Sequence, residues 1–404
     1  MNFLHLSDLH IGKSVNGFSM IAEQKHAFGQ IIGHIKTESP AAVVIAGDVY
    51  DRAIPSIEAV RVFDDFLTEL ARLDVAVLLI SGNHDSPERI SYASRLLSDR
   101  RIYFYGAFDG SMRKVVLPDE HGEVNFWLLP FIKPAMVWRM LSELFASKKA
   151  ALAGCPLLSS RFIGEAETEC YDDIIAAAIQ SADVDYTARN VLVSHQFYTR
   201  AGVNLTRSES ELNPLGGLDA IDVGFVADFD YVALGHLHGG QGVGSEHVRY
   251  SGSPIKYSLS ERRHEKSVLL VEMGEKGDLS TRALPLTPIH DMREIKGEIN
   301  KLMSDEISSL ADREDYLRVV LTDEEEIIDP MGKLRSVYPN IMSLDFENTR
   351  TGIDITAAIP DAELVEKSSH YEMFCEFFLE AQGAAMSKEQ AEIVRNLFER
   401  THEE

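Results

Sequence analysis

The chain has 404 residues, 45% hydrophobic and 25% charged, which is the composition of a folded protein of two or three domains and excludes a disordered one. Lys plus Arg is 39 and Asp plus Glu is 64, a net charge of −25; this excludes gripping bare nucleic acid through a broad basic face, but not a local groove or phosphate chemistry done with bound cations. Cys155, Cys170 and Cys375 are too scattered for a disulfide framework or a CxxC zinc site and point to a reducing, cytoplasmic setting, while no apolar run approaches the ~20 residues of a membrane span and MNFLHLSDLH carries no basic leader.

The first third alternates apolar runs with amphipathic stretches. NFLHL (2–6), AAVVIA (41–46) and VAVLLI (75–80) read as buried strands. Between them, residues 20–36 place Phe28, Ile31, Ile32 and Ile35 at helical spacing, and residues 56–73 do the same with Ile57, Val60, Phe63, Leu67 and Leu70. That order predicts an α/β sheet covered by helices. Further strands are expected at 124–132, 190–195, 229–236, 248–254 and 266–273, with mostly helical sequence over 135–185. A Pro-containing stretch from Leu284 to Pro288 reads as a linker. Beyond it YLRVVLTD, a helix near Met331–Val337 and NIMSLDFEN form a small βαβ-type module. Helical spacing returns over 370–400 with Met373, Phe374, Phe377, Phe378 and Ala381. Ser387 with Gln390 then fits a capping box opening a last helix, whose apolar face is Ile393, Val394 and Leu397.

Five polar clusters follow predicted strands: Asp8 and His10; Asp48 and Asp51; Asn83, His84 and Asp85; His195; His236 and His238. Ligands bind at the carboxyl ends of strands in open α/β sheets, where turns gather residues distant in sequence. Asp8, His10, Asp48, Asn83, His195, His236 and His238 offer carboxylate, amide and imidazole donors and no thiolate. Such a mixture suits two adjacent divalent cations of borderline hardness, such as Mn²⁺, better than structural zinc. Asp48 is the natural bridge, since its two oxygens could touch one ion each, and such a pair could ionise a water and neutralise a phosphate. Gly47, Gly82 and Gly235 precede donors where permissive backbone angles help a tight turn. DxH, GD or GHLH alone is weak evidence; five clusters in this order are not.

DLH, GD, GNHD, H and GHLH in this order resemble the calcineurin-like metallophosphoesterase superfamily. SDLHIGKS, AGDVYDRA, SGNHDSPERISYASRLL, ALGHLHGGQ, YSGSPIKYSLSE and MGKLRSVYPNIMSLDFEN are similar, within it, to the SbcD-type nuclease subunits of DNA repair. The resemblance implies a two-sheet sandwich flanked by helices over 1–283, a small C-terminal α+β capping domain over 284–365, and a helical tail over 366–404. It implies that Asp8, His10, Asp48 and His238 hold one metal, and Asp48, Asn83, His195 and His236 the other. His84 would serve the departing 3′-oxygen without being a ligand, and Asp85 would orient a histidine or the turn. Asp51 stands where some relatives carry a histidine; the plainer reading is an acid favourable to a helix N-terminus. Implied too are Mn²⁺-dependent double-strand exonuclease and single-strand or hairpin endonuclease activities, an SbcC-like SMC-type ATPase partner, DNA as substrate, and a homodimer through helices near 56–73 and 86–98.

Other features carry less. His5, His26, His34, His121, His247, His264, His290, His370 and His402 match no motif and read as core or surface residues. Arg100–Arg101 and Arg262–Arg263 are candidate phosphate contacts, and Tyr257 and Ser258 either line a DNA path or belong to an ordinary strand. Residues 361–404 hold 11 acidic and 4 basic residues, so the Phe374, Phe377 and Phe378 stripe in this acidic tail is expected to dock on the partner. The alternative enzyme is a metallophosphoesterase on a small phosphodiester or phosphomonoester, which has little use for the C-terminal ~115 residues. A metal-free scaffold would need missing ligands, and all seven positions are filled.

Overall fold

The computed structural model describes residues 1–133, 171–200, 202–211, 220–348, 371, 374–375, 378–379 and 385–401. Cys155, Cys170, Met373, Phe377 and most of the helical stretch expected over 135–185 lie outside them. The chain divides into a first unit, Met1–Ile289, and a second, His290–Glu404.

The first unit is built on two six-stranded sheets. One sheet contains β1 (Asn2–Leu6), β2 (Ala42–Ala46), β3 (Ala76–Ile80), β4 (Ile102–Tyr105), β11 (Ser267–Met273) and β12 (Leu279–Pro285), in the order β12-β11-β1-β2-β3-β4. The other contains β5 (Arg113–Asp119), β6 (Gly122–Leu129), β7 (Arg189–Ser194), β8 (Tyr231–Leu234), β9 (Gln241–Gly242) and β10 (Val248–Tyr250), in the order β9-β10-β8-β7-β6-β5. Strands β1, β2, β3 and β4 run parallel, as do β6, β7, β8 and β10.

The central strands are apolar on both faces because both faces are covered. Phe3, Val44 and Leu78 pack against Phe126, Val193 and Ala233 between the sheets. On the outer face of the first sheet lie α1 (Ile21–Glu38) and α2 (Ile57–Arg72), which bury Phe28, Ile31, Val62, Phe63 and Phe66. On the outer face of the second lies α3 (Tyr171–Gln180), burying Ile175 and Ile179. His5 is the polar residue in the seam. Its Nε2–H donates to the Leu234 carbonyl (3.1 Å), so Nδ1 accepts the Tyr231 hydroxyl (3.0 Å), an arrangement for neutral imidazole.

Helix α2 begins where Ser56 Oγ accepts from the Ala59 N–H (3.1 Å), a side-chain N-cap. Its buried stripe is Ala59, Val62, Phe63, Phe66 and Leu70. Ile57 and Val60, expected on the inner face, are 75% and 44% exposed; the helix instead turns Ala59, whose small side chain fits against Gly12, inward. The expected linker at Leu284 is also corrected. Leu284 and Pro285 pair with Val268 and Ser267, and the break between units falls after Ile289. Proline is tolerated there because β12 is an edge strand.

The second unit contains three parallel strands, β13 (Met292–Gly297), β14 (Tyr316–Leu321) and β15 (Ile341–Phe346), with α4 (Pro330–Arg335) between the last two. Leu317, Val319, Leu321, Leu334 and Tyr338 form its core. Strand β13 has no counterpart among the predicted elements. In the tail, α5 (Lys388–Thr401) opens with the expected reciprocal box: Gln390 N–H donates to Ser387 Oγ (3.2 Å), and Ser387 N–H to Gln390 Oε1 (2.8 Å).

Candidate metal centre

Every sequence-predicted donor follows the carboxyl end of a parallel strand. Asp8 and His10 follow β1, Asp48 follows β2, Asn83 follows β3, His195 follows β7, and His236 and His238 follow β8. The first two loops are laced together, with Asp8 N–H donating to Gly47 O (3.0 Å) and His10 N–H to Asp48 O (2.9 Å). Asp8 (φ 53°), His10 (φ 40°), Asp48 (φ 52°) and His236 (φ 102°) all occupy the left-handed region, a costly conformation for residues with side chains that clusters at functional sites. Of the three glycines noted above, Gly47 alone needs backbone freedom, at φ +88°. Gly82 and Gly235 have ordinary angles and are needed for space: a Cβ on Gly82 would collide with Asp48, and one on Gly235 with Ala46 and His195.

The side chains converge in two overlapping sets. In the first, His10 Nε2 and His238 Nε2 lie 3.1 Å apart, and His10 Nε2 lies 4.0 Å from Asp8 Oδ1 and 3.7 Å from Asp48 Oδ2. In the second, Asn83 Oδ1 lies 3.1 Å from both His195 Nε2 and His236 Nδ1, while His195 Nε2 lies 3.2 Å from Asp48 Oδ2. The expectation that Asp48 offers one oxygen to each side is corrected. Its Oδ1 accepts the His84 N–H (2.8 Å), so the single oxygen Oδ2 faces both sets. Asp8 Oδ1 also stands near both, 4.0 Å from His10 and 3.9 Å from His195. His236 and His238 share one loop and present different nitrogens, so GHLH serves both sets.

Outer partners fix the rings. His195 Nδ1–H donates to Ala46 O (2.6 Å), which leaves Nε2 facing inward. His84 Nδ1–H donates to the backbone carbonyl of Asp51 (2.8 Å), which leaves its Nε2 without that bond. His84 also lies within reach of His10 and Asp48, their donor atoms all within 4.8 Å of one another. Asp85 orients the turn: its carboxylate accepts the N–H groups of Val49, Tyr50 and Gly82 and staples the Asp48 loop to the Asn83 loop. Asp51 Oδ1 accepts from Lys13 Nζ (2.8 Å) and lies 3.9 Å from His10 Nδ1. Asp51 lies between β2 and α2, ahead of the Ser56 cap; besides Lys13 and His10 it contacts His84 through its carbonyl and Arg52, whose Nε is 3.7 Å from its Oδ2.

Sequence reasoning missed a buried polar ring around the centre. Gln24, on α1, donates to the carbonyls of Leu9 and His10 and accepts the Gly12 N–H. A glutamine inside an otherwise apolar helical stripe was the available signal. Tyr257 and Ser258 line no open path: both are buried, Tyr257 donating to Leu9 O and Ser258 Oγ capping a turn at Ser260. Arg101 bonds Asp74 O, ahead of β3 and thus at the edge of the sheet opposite the donors. Arg207, by contrast, is exposed with its guanidinium 3.9 Å above the ring of Phe197, whose centroid lies 6.0 Å from that of His236.

The electrostatics ask for cations. Asp8 and Asp48 are buried, and among the described residues neither pairs with a lysine or arginine. Burial drives Asp8 upward. Burial also works against the charge of Asp48, but His195 and the other imidazoles outweigh it and hold that carboxyl below its ordinary value. Against the same burial, Asp48 and Asp8 push His195 up to about 9. The carboxylates therefore draw positive charge onto the nearest imidazole. Among the described residues, buried His10 Nδ1 has no hydrogen-bond partner, while its Nε2 faces another histidine's Nε2. Oxygen and imidazole donors gathered around unneutralised carboxylates fit a pair of divalent cations.

Comparison with known proteins agrees with this chemistry. The family described as "Calcineurin-like phosphoesterase" matches residues 1–240, and that described as "Type 5 capsule protein repressor C-terminal domain" matches residues 288–382. The SbcD component of the nuclease SbcCD from Staphylococcus epidermidis is 30% identical over 345 residues, covering 85% of each chain. Solved structures that align include a dimetal phosphatase from Danio rerio (TM-score 0.37, 13% identity, 71% of this chain and 99% of that one). A phosphopantetheinyl hydrolase from Mycobacterium tuberculosis aligns similarly (TM-score 0.34, 16% identity, 63% and 90%).

Proposed function

Since the chain belongs to the calcineurin-like phosphoesterases and, within them, to the SbcD family, we propose that this metal-dependent phosphodiesterase is a Mn²⁺-dependent DNA nuclease subunit, acting as a double-strand exonuclease and a single-strand or hairpin endonuclease in DNA repair. The observation that carries the proposal is the convergence of seven donors into two sets sharing Asp48 Oδ2, beside His84, whose ring is fixed through Nδ1. The C-terminal match favours a nuclease over the small-substrate alternative, because it covers residues such a phosphoesterase has little use for.

In this reading Asp8, His10, Asp48 and His238 hold one ion, and Asp48, Asn83, His195 and His236 the other. Two bound divalent ions supply an ionised water and neutralise phosphate charge. His84, its Nδ1–H held by the Asp51 carbonyl, acts in its doubly protonated form: Nε2–H passes its proton to the departing 3′-oxygen and the ring is left neutral. Asp85 fixes the turn that carries His84. Arg207 offers a guanidinium to a neighbouring phosphate on the His236 side.

The partner is an SbcC-like SMC-type ATPase, docked by the acidic tail, where Ile393 and Leu397 are 61% and 58% exposed. The protein forms a homodimer through the apolar surface of Ile54, Ile57 and Val60 with Tyr92 and Leu96, all exposed. No described helix is long and apolar enough to cross a membrane, and a cytoplasmic setting fits this role. Digestion of linear duplex, hairpin and circular single-stranded DNA with Mn²⁺, beside a small nitrophenyl phosphodiester, tests the proposal. Cleavage of the small ester with all three DNAs left intact would leave the alternative.

A further inference from the structure

Lys266 is a buried lysine whose ammonium is used completely. Nζ donates to Glu261 Oε2 (2.6 Å), Ser253 Oγ (2.8 Å) and the backbone carbonyl of His238 (2.9 Å). Glu261 is also buried. Its second oxygen, Oε1, accepts from Ser210 Oγ (2.7 Å) and lies 3.1 Å from His238 Nδ1; Ser210 Oγ, its own proton given to Glu261, lies 2.8 Å from Nδ1 and accepts from it as well. Glu211 Oε1 accepts the His238 N–H (2.7 Å). The ring of His238 is thus held by Glu261 together with Ser210, its amide by Glu211 and its carbonyl by Lys266. A buried ion pair is a poor source of stability compared with apolar residues of the same volume, so its place calls for another reason. Among the described residues, His236, two positions earlier, has no carboxylate on its ring.

We infer that Glu261 is a positioning residue for His238: clamped by Lys266 through one oxygen, it holds Nδ1 as a donor with the other, so that Nε2 keeps its lone pair facing His10, Asp8 and Asp48. The inference rests on the two-ion reading above and assigns to the Glu261–Lys266 pair the affinity of one ion and not the other. A ring nitrogen binds a cation only if the proton sits on its opposite nitrogen, and an outer acceptor holds it there.

The substitution Glu261→Gln separates positioning from packing. The amide has one acceptor, which the Lys266 ammonium draws to itself. Its NH₂ then faces Ser210 Oγ and Nδ1: the serine oxygen accepts from the amide, turns its own O–H towards Nδ1, and the ring proton moves to Nε2. Adding Lys266→Met removes the competing cation, so the amide oxygen can turn back and accept from Nδ1–H. Full-length protein stripped of metal is titrated with Mn²⁺ alone, following free Mn²⁺ by electron paramagnetic resonance. Wild type takes up two ions. Glu261→Gln loses 10–100-fold in affinity for one ion and keeps the other, and the double variant recovers to within a few-fold of wild type. A packing role predicts a double variant at least as impaired as the single.

Nitrogen-15 shifts of His238 in ion-free wild type, read independently of any variant's folding, should show Nδ1 protonated. Wild-type affinity for both ions in Glu261→Gln, no recovery in the double variant, or an Nε2-protonated His238 overturns the inference. A wild type that binds fewer than two ions sinks the two-ion reading and the inference together, whereas two ions in wild type with an unaffected variant sinks the inference alone.

Discussion

Replacing Gly82 by alanine adds one methyl group to the candidate centre and removes no donor. Gly82 has an ordinary backbone conformation, so alanine is not opposed by φ. The objection is space: the new Cβ would stand 2.1 Å from Asp48 Oδ1, 2.4 Å from its backbone nitrogen and 2.6 Å from its Cγ, where ordinary contact begins at 3.4 Å, so the Asp48 backbone and its carboxylate must together retreat by about 1 Å. That carboxylate is the group whose Oδ2 faces both donor sets. Misplacing reacting groups by ~1 Å costs on the order of 10²-fold in rate, or about 2.7 kcal/mol of barrier. Overpacking of this kind costs about 1–3 kcal/mol of stability, within what a domain of this size tolerates. The expected variant is folded, binds Mn²⁺ weakly, and cleaves phosphodiesters about 10²-fold more slowly. Thermal melting, Mn²⁺ counting and initial rates of DNA cleavage measure the three quantities. A folded variant with two tightly bound ions and a rate within two-fold of wild type would refute the assignment of Asp48 as the shared donor.

Three further outcomes are expected. His84→Gln should keep both ions and lose about 10²–10⁴-fold in cleavage rate, whereas Asp48→Ala should lose both ions and cleavage, as metal analysis beside activity will show. Burial drives His5 down to about 3, against an ordinary value near 6.5. The unfolded chain therefore binds a proton between these values that the folded one refuses, so this contribution, on the order of a few kcal/mol, is complete above pH ~6.5 and drains as pH falls toward 3. His5→Gln, which retains a donor and an acceptor, should lose less stability than wild type between pH 6.5 and 4 in urea titrations; equal losses would contradict the neutral assignment. Gly33, within α1, has nothing within 4 Å of an added Cβ, so Gly33→Ala should raise stability by about 0.5–1 kcal/mol in the same titrations.

The central strands were legible because their neighbours cover both faces: AVVIA and AVLLI are apolar throughout. Edge and peripheral strands were not. In β13, Met292–Gly297, buried Met292 is followed by exposed Glu294 and Lys296, a pattern shared with a loop. In α2, helical periodicity gave the helix but not which apolar residues face inward. Ile57 and Val60 obey the same spacing as the core yet stand in solvent, because spacing marks a helix face without saying which apolar residues on it are covered. The donor residues were legible because their types are rare after strands. Which oxygen of Asp48 faces the two donor sets was not, because it depends on the His84 amide, a backbone group with no signature in sequence. Gln24, Glu211, Glu261 and Lys266 escaped for a related reason: each lies 14 or more residues along the chain from the donor it supports, so only the folded chain brings them together.

The donor residues are divided between the two sheets. Asp8, His10, Asp48 and Asn83 hang from the first, and His195, His236 and His238 from the second. Cations seated among them would rivet the halves of the sandwich along one rim. A ligand bound to the folded form alone adds about 2.7 kcal/mol of stability at a hundred times its dissociation constant. Cohesion of the body and readiness to cleave would then rise and fall with the same ion supply, so a chelator would loosen the very seam across which the strand is cut.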